Sequence, residues 1–274
     1  MKRSAGVAVW LRCSVGLAAT LALVLTGWGR AQAQVATPTT APGAAAVEAP
    51  SRAGWFVSPI GSGQRPADPW TLALLPRQTK PETRFDVVAL DGERVLRVRA
   101  DDSYGNLVHG VPVARTDART LHWSWRVDIA PDVDLRTKEG DDVALKVCAL
   151  YDWPRDHLPL GERAKLAAAS AVTGTRLPSA TLCWVADTRL PEGTWLPNAY
   201  TARLRMLVVQ QFAPGAVPRW SEHRRDLHAD FRRAFADEWR DGDAMPPLLA
   251  VLIGADADNT RSQALGYVRS IDLR

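Results

Sequence analysis

The chain has 274 residues, 46% of them hydrophobic and 23% charged, a globular composition rather than a disordered or collagen-like one. Its 34 Lys and Arg against 30 Asp and Glu leave a formal charge of +4, and an excess of that size is accounted for by Lys2, Arg3, Arg12 and Arg30 at the N-terminus. The remainder is formally neutral, so nothing in it points to nucleic acid or an anionic membrane as a partner.

Residues 1–33 read as an export signal. Lys2, Arg3 and Arg12 precede an apolar run at 15–26, and Ala31-Gln32-Ala33 supplies a small-x-small cleavage site. The run falls short of the about 20 residues that span a bilayer, so cleavage is expected rather than a retained anchor, with no stable membrane insertion afterwards. Cys13 lies before the run, which does not fit lipid attachment. The expected destination is the periplasm or the exterior. Residues 34–51 are rich in Pro, Ala and Thr with a single charge and read as a flexible tether. From residue 52 to 274 no second such break occurs, and one domain is expected.

Within that domain, alternating apolar and polar positions predict strands at 84–89, 95–100, 121–129, 143–151, 180–186, 202–209, 220–225, 248–254 and 266–273. Asp91-Gly92 separates the first two as a two-residue hairpin turn. The stretch 121–153 organises the rest. In it Trp123, Trp125 and Val127 share one face, and Arg136, Lys138, Glu139, Asp141 and Asp142 crowd a connector closed by Gly140. Two helices are expected, at 161–172 ending on Gly174, and at 226–239 with Asp226 as N-cap and Leu227, Phe231 and Phe235 on one face. The fold class is therefore mainly β: an antiparallel, jelly-roll-like β-sandwich with two inserted or decorating helices. Cys148 and Cys183 both sit mid-strand, where either a disulfide or two separate small core residues fits the pattern.

Candidate chemistry gathers at strand ends. Asp256, Asp258, Asn259 and Thr260 follow an apolar run, as a Ca²⁺ site, a sugar-hydroxyl clamp or a self-capping turn would. An EF-hand is excluded, because Arg261 stands where its loop needs Gly and Tyr267 where it needs Glu. Asp141 and Asp142 are adjacent and point to opposite faces, so they cannot act as a facing pair. Either could pair with Asp256 or Asp258 from another strand end. Lys146, Arg205 and Glu222 are charges inside strands, on the wet face of a sheet or lining a polar cleft. Eleven tryptophans are an outlier, most of them core; Trp184 and Trp153 are the candidates for stacking on a ligand. No H-E-x-x-H, G-x-S-x-G or phosphate-cradling glycine loop occurs, and neither Cys148 nor Cys183 has an activating base nearby in sequence.

A family resemblance rests on His122-Trp123-Ser124-Trp125-Arg126-Val127-Asp128 and Lys138-Glu139-Gly140-Asp141-Asp142, followed by Leu177-Pro178 and Leu182-Cys183-Trp184-Val185. It continues in Arg189-Leu190-Pro191-Glu192-Gly193-Thr194, Ser221-Glu222 and Gly254-Ala255-Asp256-Ala257-Asp258-Asn259-Thr260. Together these resemble DUF3047, a family of secreted bacterial proteins of unknown function, over most of residues 54–273. The chain departs from the family at Ala186-Asp187, where Trp-Asp or Trp-Ser is common, and at Arg261, where Gly is common. The resemblance implies export and the domain boundary, and no activity.

Aromatic abundance and clustered oxygens without a catalytic motif favour a non-catalytic protein binding carbohydrate or another polar ligand on a sheet face. Asp142, Lys146, Trp184, Arg205, Glu222, Asp256, Asp258 and Asn259 would form its site, with no cofactor unless Ca²⁺ sits at Asp256 and Asp258. The alternatives are a glycan-cleaving enzyme using two of Asp141, Asp142, Glu222, Asp256 and Asp258, or an assembly role in the envelope.

Overall fold

The computed structural model describes residues 55–75, 78–112, 116–173 and 177–274. The expected signal, the tether, the start of the domain at residue 52 and the helix stop at Gly174 lie outside the described residues. In chain order the strands are β1 (Trp55–Phe56), β2 (Thr71–Ala73), β3 (Arg84–Leu90), β4 (Glu93–Asp101), β5 (Tyr104–Gly110), β6 (Thr120–Ile129) and β7 (Lys146–Tyr151). After helix α1 (Leu160–Thr173) come β8 (Ala180–Asp187), β9 (Trp195–Pro197), β10 (Leu204–Gln211) and β11 (Ser221–Asp226). Helix α2 (Leu227–Ala234), β12 (Leu248–Asp256) and β13 (Gln263–Leu273) complete the chain.

They form two sheets. One runs β11-β6-β13-β4-β3, with β1 paired to the far end of β13, and the other runs β2-β5-β12-β7-β8-β10-β9. The fold is the expected mainly β sandwich with two helices, with one difference: β10 pairs with β8 in parallel, so the seven-stranded sheet is mixed. The short β9 lies between them in sequence and pairs with β10 at the sheet edge, so the chain reaches β10 without a hairpin back from β8. The Asp91-Gly92 turn closes β3 onto β4 with both residues at positive φ, 53° and 80°, the backbone shape that a two-residue hairpin requires.

The main core lies between the sheets. Trp123 and Trp125 of β6, Leu96 and Val98 of β4 and Ile271 of β13 face Val147 of β7, Trp184 of β8 and Ile253 of β12, all but excluded from solvent. At one end α2 closes it, with Phe231 4.6 Å from Tyr151 and 4.9 Å from Trp153. Asp226 caps that helix by accepting from the backbone N–H of His228 and Ala229, each at 2.9 Å. α2 ends at Ala234, shorter than expected, and Phe235 completes the apolar face from the C-cap.

A second buried layer covers the outer face of the seven-stranded sheet. Val108, Cys148, Leu150, Cys183, Val185, Met206 and Leu252 pack with Leu196 of β9 and with Leu135, Val143 and Leu190 of the loops. β7 and β8 are buried at every position, so this sheet has no wet face at its centre. Cys148 and Cys183 are directly opposite in the β7–β8 ladder and form a disulfide. Among the described residues no helix is long and apolar enough to cross a membrane.

Candidate functional site

Side-chain alternation along three neighbouring strands builds a polar patch into this second layer. Lys146 of β7 pairs with Gly254 of β12, and Gly254 pairs with Asn106 of β5. One pleat along, Asp256 is paired with Tyr104. Residues two apart share a face, so Lys146, Asp256, Asn106 and Tyr104 all point outward on the side of the disulfide. Gly254 leaves them room: a Cβ there would meet Asn106 Oδ1 at 2.3 Å and Lys146 Cε at 2.9 Å, so both side chains would have to shift.

The Lys146 ammonium lies 3.1 Å from Asp256 Oδ2, and Asp256 Oδ1 accepts the backbone N–H of Val143 at 3.0 Å. Lys146 also sits over the Tyr104 ring, 5.8 Å from its centre. Burial works against the ammonium, but Asp256, Tyr104 and Asp141 outweigh it and hold Lys146 above its ordinary pKa. Burial likewise pushes Asp256 upward against the pull of Lys146. Asn106 donates from Nδ2 to the Tyr104 hydroxyl at 3.0 Å, while its Oδ1, buried, has no partner.

Two loops raise walls around the patch. Asp142 accepts the N–H of Asn259 at 3.0 Å and of Thr260 at 2.8 Å, and also the Thr260 hydroxyl, tying the loop after β12 to the one before β7. Asn259 returns the contact by donating from Nδ2 to the carbonyl of Asp141 at 2.9 Å. The Asp141 carboxylate is thereby turned toward the cleft and accepts from Asn198 Nδ2 at 2.7 and 2.9 Å. Tyr200 stands at the mouth, 37% exposed, and its hydroxyl donates to the Lys138 carbonyl at 3.1 Å. The resulting cleft is about 170 Å³, with Leu75, Leu204, Leu252 and the disulfide supplying its apolar lining. That is below the roughly 300–1,000 Å³ of drug-sized sites, room for one small ligand.

Burial, followed by the charge of Asp256, pushes the Asp141 carboxyl up to about 6 against the Asn198 hydrogen bond and Lys146. Asp258, which lines the same cleft, is also pushed up to about 6, by burial and then by Asp256 and Asp142.

Of the residues expected at the site, Lys146, Asp256, Asp258 and Asn259 line this cleft, and Asp141 joins them. Asp142 stands behind it as the clamp between the loops. The other three expectations are corrected. Trp184 is fully buried between the sheets and donates from Nε1 to Asp230 at 2.8 Å, so it cannot stack on a ligand; Trp153 is equally buried. Arg205 pairs with Leu182, one position out of phase with Cys183, and so points to the opposite face. There it lies 5.3 Å over the Phe235 ring and pairs with Asp237 at 2.9 Å. Glu222 is on β11, in the other sheet, and exposed. Sequence reasoning missed Tyr104, Asn106, Asn198 and Tyr200. Alternation of Tyr104, Asn106 and Val108 was the signal for the first two; Asn198 and Tyr200 reach the cleft from a loop and left none.

Among the described residues no group of three or more His, Cys, Asp and Glu side chains converges where a metal ion could be held. Asp256, proposed from sequence as a ligand, already spends both oxygens on Lys146 and the Val143 N–H.

No curated protein sequence matches the chain. Among solved structures it is similar to a carbohydrate-binding module, TmCBM27, described for specific mannan recognition. The identity is 9%, the match covers 74% of this chain and 86% of that one, and the TM-score is 0.28. The family model for DUF3047, described as a protein of unknown function, matches residues 68–272, which takes in both sheets apart from β1 and the last residue of β13, and every residue that lines the cleft. The chain belongs to the DUF3047 family.

Proposed function

We propose that this protein is exported and binds a small hydroxyl-rich ligand of the carbohydrate class in the cleft on the outer face of its seven-stranded sheet. The observation that carries the reading is Asn106 Oδ1, a buried acceptor with no partner on the floor of a cleft lined by polar groups. An unsatisfied buried acceptor costs about 1–3 kcal/mol, which a ligand hydroxyl would recover. Asp141, Asp258, Asn198 and the Tyr200 hydroxyl supply further hydrogen-bonding groups around it, and the exposed part of the Tyr200 ring offers a stacking surface. Export is supported by the N-terminal charge and hydropathy pattern and by a disulfide of the kind that oxidising compartments permit.

Differential scanning fluorimetry and calorimetry of the purified chain against mono- and disaccharides test this reading. A sugar that raises Tm by mass action, and whose affinity falls about tenfold in Tyr200→Ala, is the expected result. Absence of binding by every sugar tried would overturn it.

A second reading, glycoside cleavage, is favoured by one observation: Asp141 and Asp258 line one cleft and are both pushed up to about 6. Of the other carboxylates expected for it, Asp142 is held in the loop clamp, Asp256 by Lys146, and Glu222 is in the other sheet. Release of reducing sugar that is lost in both Asp141→Asn and Asp258→Asn would establish turnover.

A further inference from the structure

We infer that the ligand of the cleft carries a protonated amine, an unacetylated amino sugar if the carbohydrate reading on which this rests is right. Asp141 and Asp258 receive its ammonium, and Asn106 Oδ1 accepts one of its other donors. The charge lining the cleft is lopsided: three carboxylates, Asp141, Asp256 and Asp258, against one ammonium, Lys146. Lys146 is already committed to Asp256. The other cations at the rim are committed too. Lys80 pairs with Asp102 and donates to the backbone carbonyl of Asp258, and Lys138 lies 5.6 Å over the Tyr200 ring. Among the described residues no cation is paired with the Asp141 or Asp258 side chain, and Asp141 has only the neutral amide of Asn198.

An anionic ligand would face that surplus of carboxylates with no free cation to meet it. A neutral ligand could donate hydroxyls to Asn106 and to the two carboxyls, but it would bring no charge to offset theirs. An ammonium satisfies all three, because it brings several donors and the missing charge together, and charge-assisted hydrogen bonds of this kind are about twice as strong as neutral ones. Burial first, and then the neighbouring Asp256, raises the pKa of both Asp141 and Asp258.

The groups facing Asp141 are Asp256, Lys146, Asp142, Asn198 and Tyr200, and those facing Asp258 are Asp256, Asp142, Lys80, Tyr104 and Tyr200. Binding an ammonium lowers both carboxyl pKa values, so protons leave on binding and affinity rises from pH 5 to 7.

Titration calorimetry of the purified chain with glucosamine, N-acetylglucosamine, glucose and putrescine decides the matter. Glucosamine is expected to bind at least tenfold tighter than N-acetylglucosamine and glucose, with net proton release at pH 6 in buffers of different ionisation enthalpy. That preference should vanish in Asp141→Asn and in Asp258→Asn, each checked for folding by circular dichroism. N-Acetylglucosamine or glucose binding as tightly as glucosamine would overturn the ammonium and leave the carbohydrate reading standing. Putrescine binding as tightly as glucosamine while glucose fails would keep the ammonium and overturn the carbohydrate. No binding by any of the four would overturn both.

Discussion

The two faces of the seven-stranded sheet are built from the same strands and both are buried, yet they treat polar groups differently. On the inner face, Trp184 Nε1 meets Asp230, which also holds Arg225 through two hydrogen bonds of 2.6 Å, and Arg205 meets Asp237 and Glu238. On the outer face, Lys146 and Asp256 satisfy each other, but among the described residues no cation is paired with the Asp141 or Asp258 side chain and Asn106 Oδ1 has no donor. The inner face also has unpartnered atoms: Trp123 Nε1 and Tyr151 Oη lie among packed rings, and Arg203 Nε and Nη1 and Glu238 Oε2 belong to an ion pair that is otherwise made. A charge inside a strand therefore says little by itself. What marks a site is incomplete pairing beside open space.

If that contrast is sound, inner-face substitutions cost stability and outer-face polar ones do not. Trp184→Ala should destabilise by about 3–5 kcal/mol, the range for truncating a buried aromatic, because it opens a cavity beside Trp123, 5.4 Å away. Urea unfolding measures this; a loss under about 1 kcal/mol would mean that the sheets re-pack freely. Replacing Cys148 and Cys183 together with Ala should cost about 3 kcal/mol, since the bridge closes a 35-residue separation and limits the unfolded chain. This is the outer face's stability term, and it is covalent. A negligible loss under the same assay would show that the β7–β8 ladder alone sets the spacing.

Why the two faces could not be told apart in the sequence follows from this burial. In β6 the inward Trp123, Trp125 and Val127 alternate with His122, Arg126 and Asp128, which are partly exposed, and with the small polar Ser124, and period two was legible. In β8 every residue of ATLCWVAD is buried, so the pattern carries no phase and Trp184 could be placed on either face. The phase of Arg205 relative to Lys146 depends on how β10 pairs with β8, a parallel register that no local signal announces. β5 went unseen because Gly105, Asn106, His109 and Gly110 are poor strand formers, and it is tertiary pairing with β2 and β12 that makes it one. Half of the cleft floor was lost with it. The acidic loops were legible because charge clusters survive without knowledge of register.

The sharpest test of the contrast reverses the usual sign. Asp141→Asn should stabilise the protein by about 1–2 kcal/mol at pH 7, a two-unit carboxyl shift discounted for partial solvation. The sign follows from proton binding. The native carboxyl titrates near 6 and the unfolded one near 3.8, so between those values the native state holds more protons and stability falls as pH rises. Below about pH 4 both states are protonated and the variant should match the wild type on this account. Above 6 the full gain should be present. Urea midpoints at pH 3.5, 5 and 7 would show a difference that opens with pH. A difference that is constant or of opposite sign would mean that Asp141 is stabilised in its cleft, and the outer face would then be as well paired as the inner one.

Arg261 gives the smallest effect and bears on the rim rather than the floor. It follows the turn that Asp142 clamps, and it sits at φ 55°, the left-handed region that L side chains enter at a cost. Arg261→Gly removes that strain, about 1 kcal/mol, but adds freedom to the unfolded chain, so a net gain of roughly 0.5 kcal/mol is expected from thermal unfolding. The contacts that set the loop belong to Asp142 with Asn259 and Thr260, so ligand affinity should be unchanged. If affinity instead falls in the glycine variant, the guanidinium takes part in the site, and the charge balance that favours an amine would have to include it.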